Sequence, residues 1–194
     1  MSAPSDGRFA VFGNPAAHSL SPRLHALFAA QCGKDIAYEA ICAPVDGFAA
    51  ALHSFIAAGG RGANVTVPFK EEAFRCADSL SQRARAAGAV NTLTLADGRL
   101  HGDNTDGVGL LRDLEQNLAA AISGRRLLLL GAGGAARGVA APLLAQGPAQ
   151  MFIANRTQEK AQQLAADFGV AGGGFAALAG RSFDIVINAT AAGL

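Results

Sequence analysis

The chain has few of the residues that mark a stacking surface or a cross-link. Tryptophan is absent and tyrosine occurs once, so little aromatic area is available to stack bases. Three cysteines, Cys32, Cys42 and Cys76, are odd in number and far apart, with no C-x-x-C pair. That pattern suits reduced thiols in the cytoplasm and argues against a disulfide framework or a zinc cage. The histidines, His18, His25, His53 and His101, are equally scattered, and no metal site is expected. Only 16% of residues are charged, the net charge is +1, and there is no basic run, which argues against nucleic acid or an anionic membrane as a partner. No apolar run approaches the length of a bilayer span. The polar opening, residues 1–8 with Pro4 and Gly7, does not read as a signal peptide. What is present in quantity is apolar: 51% of 194 residues, enough for one large or two small cores.

The rest of the chain is organised around residues 127–156. Four leucines lead into Gly131-Ala132-Gly133-Gly134-Ala135-Ala136, then a helical run to Leu144, then a second apolar run at 151–154. This spacing predicts strand, glycine turn, helix and strand, the first unit of a dinucleotide-binding fold. Gly131 allows the tight turn, Gly133 lets the backbone approach a pyrophosphate, and Ala136 lets the helix pack close. The phosphates would rest on the N–H groups that open the helix. The second strand ends at Asn155-Arg156-Thr157, with Lys160 one turn on. An NAD site usually has an acid here to hold the ribose 2′-hydroxyl; cations and hydroxyls suit a 2′-phosphate, so the expected cofactor is NADP.

Around this unit, strands alternate with helices along the chain. Strands are expected at residues 9–12, 37–43, 63–67, 127–130, 151–154 and 183–189, with a hairpin about Asp97-Gly98. Helices are expected after Ser21-Pro22, with Ser21 as cap and Leu24, Leu27 and Phe28 as its apolar stripe, after Asp46 as cap, at 70–76 and 81–87, at 107–121, and at 158–168. The fold class is α/β. An N-terminal α/β substrate domain, residues 1–107, precedes a Rossmann-type dinucleotide-binding domain, residues 108–194. Three strand candidates in the second part amount to half of a doubly wound sheet. The expectation is therefore a dinucleotide domain incomplete at its C-terminus.

Three polar clusters precede the nucleotide unit. Ser19 and Ser21 place two hydroxyls at a helix start, where they can hold a carboxylate or simply cap the helix. Asn64 and Thr66 share one face of a strand, with Lys70 just beyond it, either in a site or as a solvated cation beside Glu71 and Glu72. Asn91-Thr92 and the run Gly102-Asp103-Asn104-Thr105-Asp106-Gly107 add donors and acceptors, which also serve as turn formers. Gathered at strand ends, a Lys and an Asp make a proton-transfer pair, and the surrounding amides and hydroxyls suit a small polyhydroxylated acid.

At these residues the sequence resembles the shikimate dehydrogenase family. The markers are Gly13-Asn14-Pro15 with His18-Ser19-Leu20-Ser21-Pro22, the segments 64–70, 89–92, 102–107 and 131–138, Asn155-Arg156-Thr157, and Asn188-Ala189-Thr190. The resemblance implies NADPH-dependent, reversible reduction of 3-dehydroshikimate to shikimate in aromatic amino-acid biosynthesis. It implies that Ser19 and Ser21 hold the substrate carboxylate and that Thr66, Asn91 and Asp106 bind ring hydroxyls, with Asn64 close by. Lys70 matches the catalytic lysine and pairs with Asp106. Gly131, Ala132, Gly133, Gly134 and Ala135 would bind the pyrophosphate, and Asn155, Arg156, Thr157 and Lys160 the 2′-phosphate. Many members have Arg where Lys160 stands; Lys keeps the charge and loses the planar fork. The family continues past this point with a substrate-contacting Tyr and a last helix carrying a Gln.

Two alternatives stand beside this reading: a quinate/shikimate dehydrogenase of broader substrate or cofactor use, and, for a chain expected to lack the family's C-terminal part, a non-catalytic module that binds shikimate or a nucleotide. The expected partner is a small molecule, with no nucleic acid and no membrane. A homodimer is compatible with the sequence, and the expected location is the cytoplasm.

Overall fold

The computed structural model describes residues 4–190. They divide into two compact units, with the division between Asn104 and Thr105.

The first unit is a six-stranded sheet. Its strands are β1 (Gly7–Gly13), β2 (Ile36–Cys42), β3 (Gly60–Val65), β4 (Ser79–Leu80), β5 (Thr92–Ala96) and β6 (Arg99–Asp103), in the order β2-β1-β3-β5-β6-β4. Strand β1 runs parallel to β2 and β3. The β5–β6 hairpin joins antiparallel to β3, and β4 runs parallel to β6. Both turn residues of the hairpin have positive φ, 52° at Asp97 and 71° at Gly98, the turn expected of Asp-Gly.

Period-two alternation assigns the two faces of this sheet. Ala10, Phe12, Ala63, Val65 and Leu93 are buried with Phe48, Leu52, Phe55 and Phe69, and Phe12 meets Phe48 and Phe55 edge-on. That core holds α2 (Phe48–Ala57), α3 (Lys70–Cys76) and α4 (Gln82–Ala87) in place. The alternate residues line the other face. Register sets Tyr38 beside Phe9, Asn64 beside Val11, Thr92 beside Asn64, and Asp103 beside Thr92. A polar strip, Asn64-Thr92-Asp103, therefore crosses three strands.

Helix α1 (Ser21–Gln31) departs from expectation at its start and along its stripe. Ser21 is its first residue, not its cap, and Ser19 Oγ accepts the Ser21 N–H at 3.2 Å. Leu24, Leu27 and Phe28 are exposed, and Ala29 is the buried residue of this helix. Helix α2 likewise starts after Gly47, without a side-chain cap from Asp46.

The second unit opens with α5 (Asp106–Arg112), which runs into one π-helical turn at Asp113–Asn117 and stops there. The expected continuation to residue 121 is broken at Ala119, which has φ 49°. Helix α5 packs closely on α6 (Gly134–Ala145): a Cβ at Gly107 would lie 2.7 Å from the Gly138 carbonyl oxygen. Four parallel strands follow in the order β10-β7-β8-β9: β7 (Arg126–Leu130), β8 (Gln150–Ala154), β9 (Ala171–Gly173) and β10 (Ile185–Asn188). Leu127, Leu129 and Ile153 are fully buried against α6 and α7 (Gln158–Asp167).

The unit thus has one strand more than the three expected. Strand β9 was hidden by its composition, since Ala-Gly-Gly reads as loop. Gly172 is required by packing: a Cβ there would lie 2.7 Å from the Ala161 carbonyl oxygen of α7. Chain order places β8 and β9 on one side of β7 and β10 on the other, so the order of strand addition reverses between β7 and β10 while the strands stay parallel. Ligands of open α/β sheets bind at such a switch point.

Candidate functional site

In the first unit, the C-terminal ends of β1, β3 and β6 and the start of β5 share one edge of the sheet. The predicted substrate residues of this unit collect along that edge. After β1, the chain turns at Gly13-Asn14-Pro15, where Asn14 Nδ2 donates to the Ala43 carbonyl and its N–H to that of Val67. This anchors the loop that carries Ser19 and Ser21, both half-buried. Gly13 is dictated by Thr66, because a Cβ at 13 would sit 2.6 Å from the Thr66 methyl.

After β3, Thr66 accepts the Phe69 N–H through its carbonyl, and Lys70 opens α3, half-buried. The Lys70 carbonyl accepts the Val90 N–H at 2.8 Å, joining the head of α3 to the segment that leads to Asn91. Asn91 is in turn held by its backbone: its N–H donates to Asp103 and its carbonyl accepts from Val65.

The side chains along this edge form a connected system. The Tyr38 hydroxyl donates to Asn64 Oδ1 at 2.6 Å. Asn64 Nδ2 faces the Asn91 carbonyl oxygen and Thr92 Oγ1, each at 3.5 Å. The Thr92 hydroxyl donates to Asn91 Oδ1 at 2.9 Å. Burial pushes the Tyr38 phenol up to about 12, so it remains a protonated donor. Its ring stacks on His25, centroids 4.0 Å apart, and His25 Nδ1 donates to the Ser21 carbonyl at 3.0 Å. Tyr38, Asn64 and Thr92 also line a hollow of about 410 Å³ whose other walls include Phe9, Phe28 and Leu93.

At the end of β6, Asp103 accepts from Arg83, from Ser81 and from the Asn104 N–H. The Arg83 guanidinium, as hydrogen-bond donor, holds the Asp103 carboxyl down to about 2. Asn104 is fully buried and donates to the Ala89 carbonyl. Sequence reasoning did not single out Tyr38, Thr92, Ser81, Arg83 or Asp103 as a support system. The signal was available only in register, since Tyr38 and Asn64 lie on β2 and β3 with β1 between them. Asp106, by contrast, is the first residue of α5 and belongs to the second unit.

In the second unit, the glycine turn leaves β7 at the switch point. Gly131 has φ 113°, and a Cβ there would lie 2.7 Å from the Ala189 carbonyl oxygen. Gly133 has no heavy atom within 4 Å of its Cβ direction, so the space above it is open. Helix α6 begins at Gly134, and Ala136 is fully buried against the sheet. A turn closed on its protein side, open above Gly133 and followed by the amides of a helix start fits a pyrophosphate.

At the end of β8, Asn155 Nδ2 donates to the Thr157 carbonyl, fixing the loop at the head of α7. Arg156 and Lys160 are both exposed, and among the described residues neither side chain forms an ion pair. Lys160 lies in the first turn of α7, where a cation opposes the helix dipole. Cations gathered there are better suited to an anionic ligand than to the helix itself.

Comparison with known proteins agrees with both halves. The family model described as shikimate dehydrogenase substrate binding domain matches residues 11–93, and that of shikimate / quinate 5-dehydrogenase matches residues 113–194. The shikimate dehydrogenase (NADP(+)) of Chromohalobacter salexigens is 61% identical over 98% of this chain and 71% of its own length. Among solved structures, the shikimate dehydrogenase of Aquifex aeolicus superposes with a TM-score of 0.90 at 33% identity, covering 98% of this chain and 71% of that one. The Thermus thermophilus enzyme in complex with NADP(H) and shikimate gives 0.84 at 39% identity, over 94% of this chain and 68% of that one. The chain belongs to the shikimate dehydrogenase family.

Proposed function

We propose that this chain acts as an NADP-dependent shikimate dehydrogenase, reversibly reducing 3-dehydroshikimate to shikimate in aromatic amino-acid biosynthesis. The observation that carries the reading is the set of groups along one sheet edge of the first unit: Ser19, Ser21, Asn64, Thr66, Lys70 and Asn91. Hydroxyls at the head of α1 receive a carboxylate. Thr66 and Asn91, with Asn64 behind them, and Asp106 read ring hydroxyls. Residues 1–107 then serve as the substrate domain and 108–194 as the dinucleotide domain.

Gly131, Ala132, Gly133, Gly134 and Ala135 would hold the cofactor pyrophosphate, and Asn155, Arg156, Thr157 and Lys160 its 2′-phosphate. NADPH, when bound, supplies the hydride. As the substrate carbonyl is reduced, its oxygen gains negative charge. Lys70 Nζ, as ammonium, stabilises that oxygen and holds the proton it needs, and Asp106 supplies the carboxylate of the pair. In the reverse direction the same lysine receives the hydroxyl proton.

The partners are small molecules, a homodimer is compatible with this reading, and the proposed location is the cytoplasm. Among the described residues no helix is long and apolar enough to cross a membrane. The test pairs calorimetric titration of shikimate with an assay of 3-dehydroshikimate reduction. Binding and turnover that depend on NADPH support the reading. Quinate turned over as well as shikimate would move it to the broader quinate/shikimate enzyme, and binding without turnover to the binding module.

A further inference from the structure

We infer that His25 and Tyr38 are a positioning pair: stacked ring on ring, they tie the head of α1 to Asn64 and so set the distance between the carboxylate end and the hydroxyl end of the proposed site. This deepens the reading of Ser21 and Asn64 as substrate residues and rests on it. Helix α1 is poorly seated by packing alone. Its buried residue is Ala29, near the far end, while Leu24, Leu27 and Phe28 are exposed. Its N-cap residue, Leu20, makes no side-chain capping bond. The head of the helix meets the sheet through His25, whose ring lies on that of Tyr38 with centroids 4.0 Å apart and planes 14° from parallel.

Each ring then makes one directed bond. The Ser21 carbonyl can only accept, so His25 Nδ1 carries the proton and donates to it at 3.0 Å. At the other end the Tyr38 hydroxyl bonds Asn64 Oδ1 at 2.6 Å, a length that suits an O–H donor and is short for an N–H. Among the described residues the other partners of the Asn64 amide, the Asn91 carbonyl and Thr92 Oγ1, stand at 3.5 Å, so Tyr38 is the close hold on that side chain. The reach requires a tyrosine. Strands β2 and β3 flank β1, which sets them about 9–10 Å apart, and Tyr38 crosses that gap to place its hydroxyl on Asn64. Burial holds the phenol up to about 12, so the bond persists across the working pH range. Ser21, His25, Tyr38 and Asn64 thus form one continuous line. A ligand with its carboxylate at Ser21 and its ring hydroxyls near Asn64 is measured along that line, and a site gains rate by orienting its substrate in this way.

The test measures shikimate affinity and steady-state kinetics for Tyr38→Phe, His25→Phe and the double variant. Phenylalanine at either place keeps a ring for the stack and removes one end bond. Each single change is expected to raise the shikimate Kd and KM roughly 3–10-fold, the range of one neutral hydrogen bond, with a smaller change in kcat. The NADP Kd should not move, because the nucleotide turn belongs to the other unit. The double variant should lose no more than the worse single one, since either break parts the same line. The methyl ester of shikimate, titrated as a competing ligand, lacks the carboxylate and engages one end alone; its affinity should be nearly indifferent to both substitutions. Wild-type shikimate affinity in either single variant, effects that multiply in the double variant, or an equal loss for shikimate and its methyl ester would overturn the inference. Absence of shikimate binding in the unsubstituted protein would instead overturn the proposed function on which it rests.

Discussion

Gly131 and Ala189 approach so closely that a Cβ at 131 would stand 2.7 Å from the Ala189 carbonyl oxygen. Gly131 also has φ 113°, which L side chains rarely adopt. Two strands, β7 and β10, are thereby joined where the nucleotide turn begins. Gly131→Ala is expected to destabilise the protein by about 1–3 kcal/mol and to weaken NADP binding with it. Gly133→Ala has open space for its methyl and a φ of −98°, so it should leave the melting temperature unchanged and lower NADP affinity alone. Thermal melts and NADP titrations of the two variants separate these outcomes; equal melts would contradict the assignment of Gly131.

Lys70→Ala should leave shikimate binding broadly intact and reduce kcat by about 10²–10⁴-fold, as expected for a group that acts on the developing charge. The substrate carboxylate is assigned elsewhere, to Ser19 and Ser21. An unchanged kcat would remove Lys70 from the mechanism.

Arg156→Asp should erode the preference for NADP over NAD. Loss of a charge-assisted bond and its replacement by a repulsive one should cost NADP roughly 10–100-fold in kcat/KM, with NAD little affected. Paired kinetics with both cofactors read this directly, and an equal loss for both would assign Arg156 to something other than the 2′-phosphate.

Asp103 is held down to about 2 by Arg83, with Ser81 and the Asn104 amide contributing. A carboxylate depressed in the folded state stabilises it above the unfolded value, near 4, and that stabilisation is lost as pH falls from there toward about 2. Arg83 is partly exposed, so the contribution at neutral pH is about 1–2 kcal/mol after allowance for screening. Asp103→Asn should remove it, and urea unfolding followed between those pH values should then depend less on pH. An unaltered slope would show that the Arg83–Asp103 pair does not stabilise the fold.

The parts of the fold that were legible in the sequence are those encoded by neighbours. The glycine turn at 131–133, the Asp97-Gly98 hairpin and the helix opening at Lys70 each depend on local backbone demands, and each appears where expected. Strand β9 is not legible because its Gly172 answers to Ala161 and Ala165 of α7, a contact invisible along the chain. Ser before Pro favours a cap at Ser21, whereas Ser21 is the first helical residue and its N–H donates to Ser19 Oγ. Composition marks Tyr38 only as a scarce aromatic. Its chemistry lies across β1, in Asn64, and only strand order brings the two together.

The most direct test of the account follows NADPH absorbance after 3-dehydroshikimate is added to this chain, with NADH in a parallel cuvette. The predicted result is NADPH consumption that requires 3-dehydroshikimate, falls about 10²–10⁴-fold with Lys70→Ala, and is slow with NADH. No consumption of NADPH, or equal rates with the two cofactors, would contradict it.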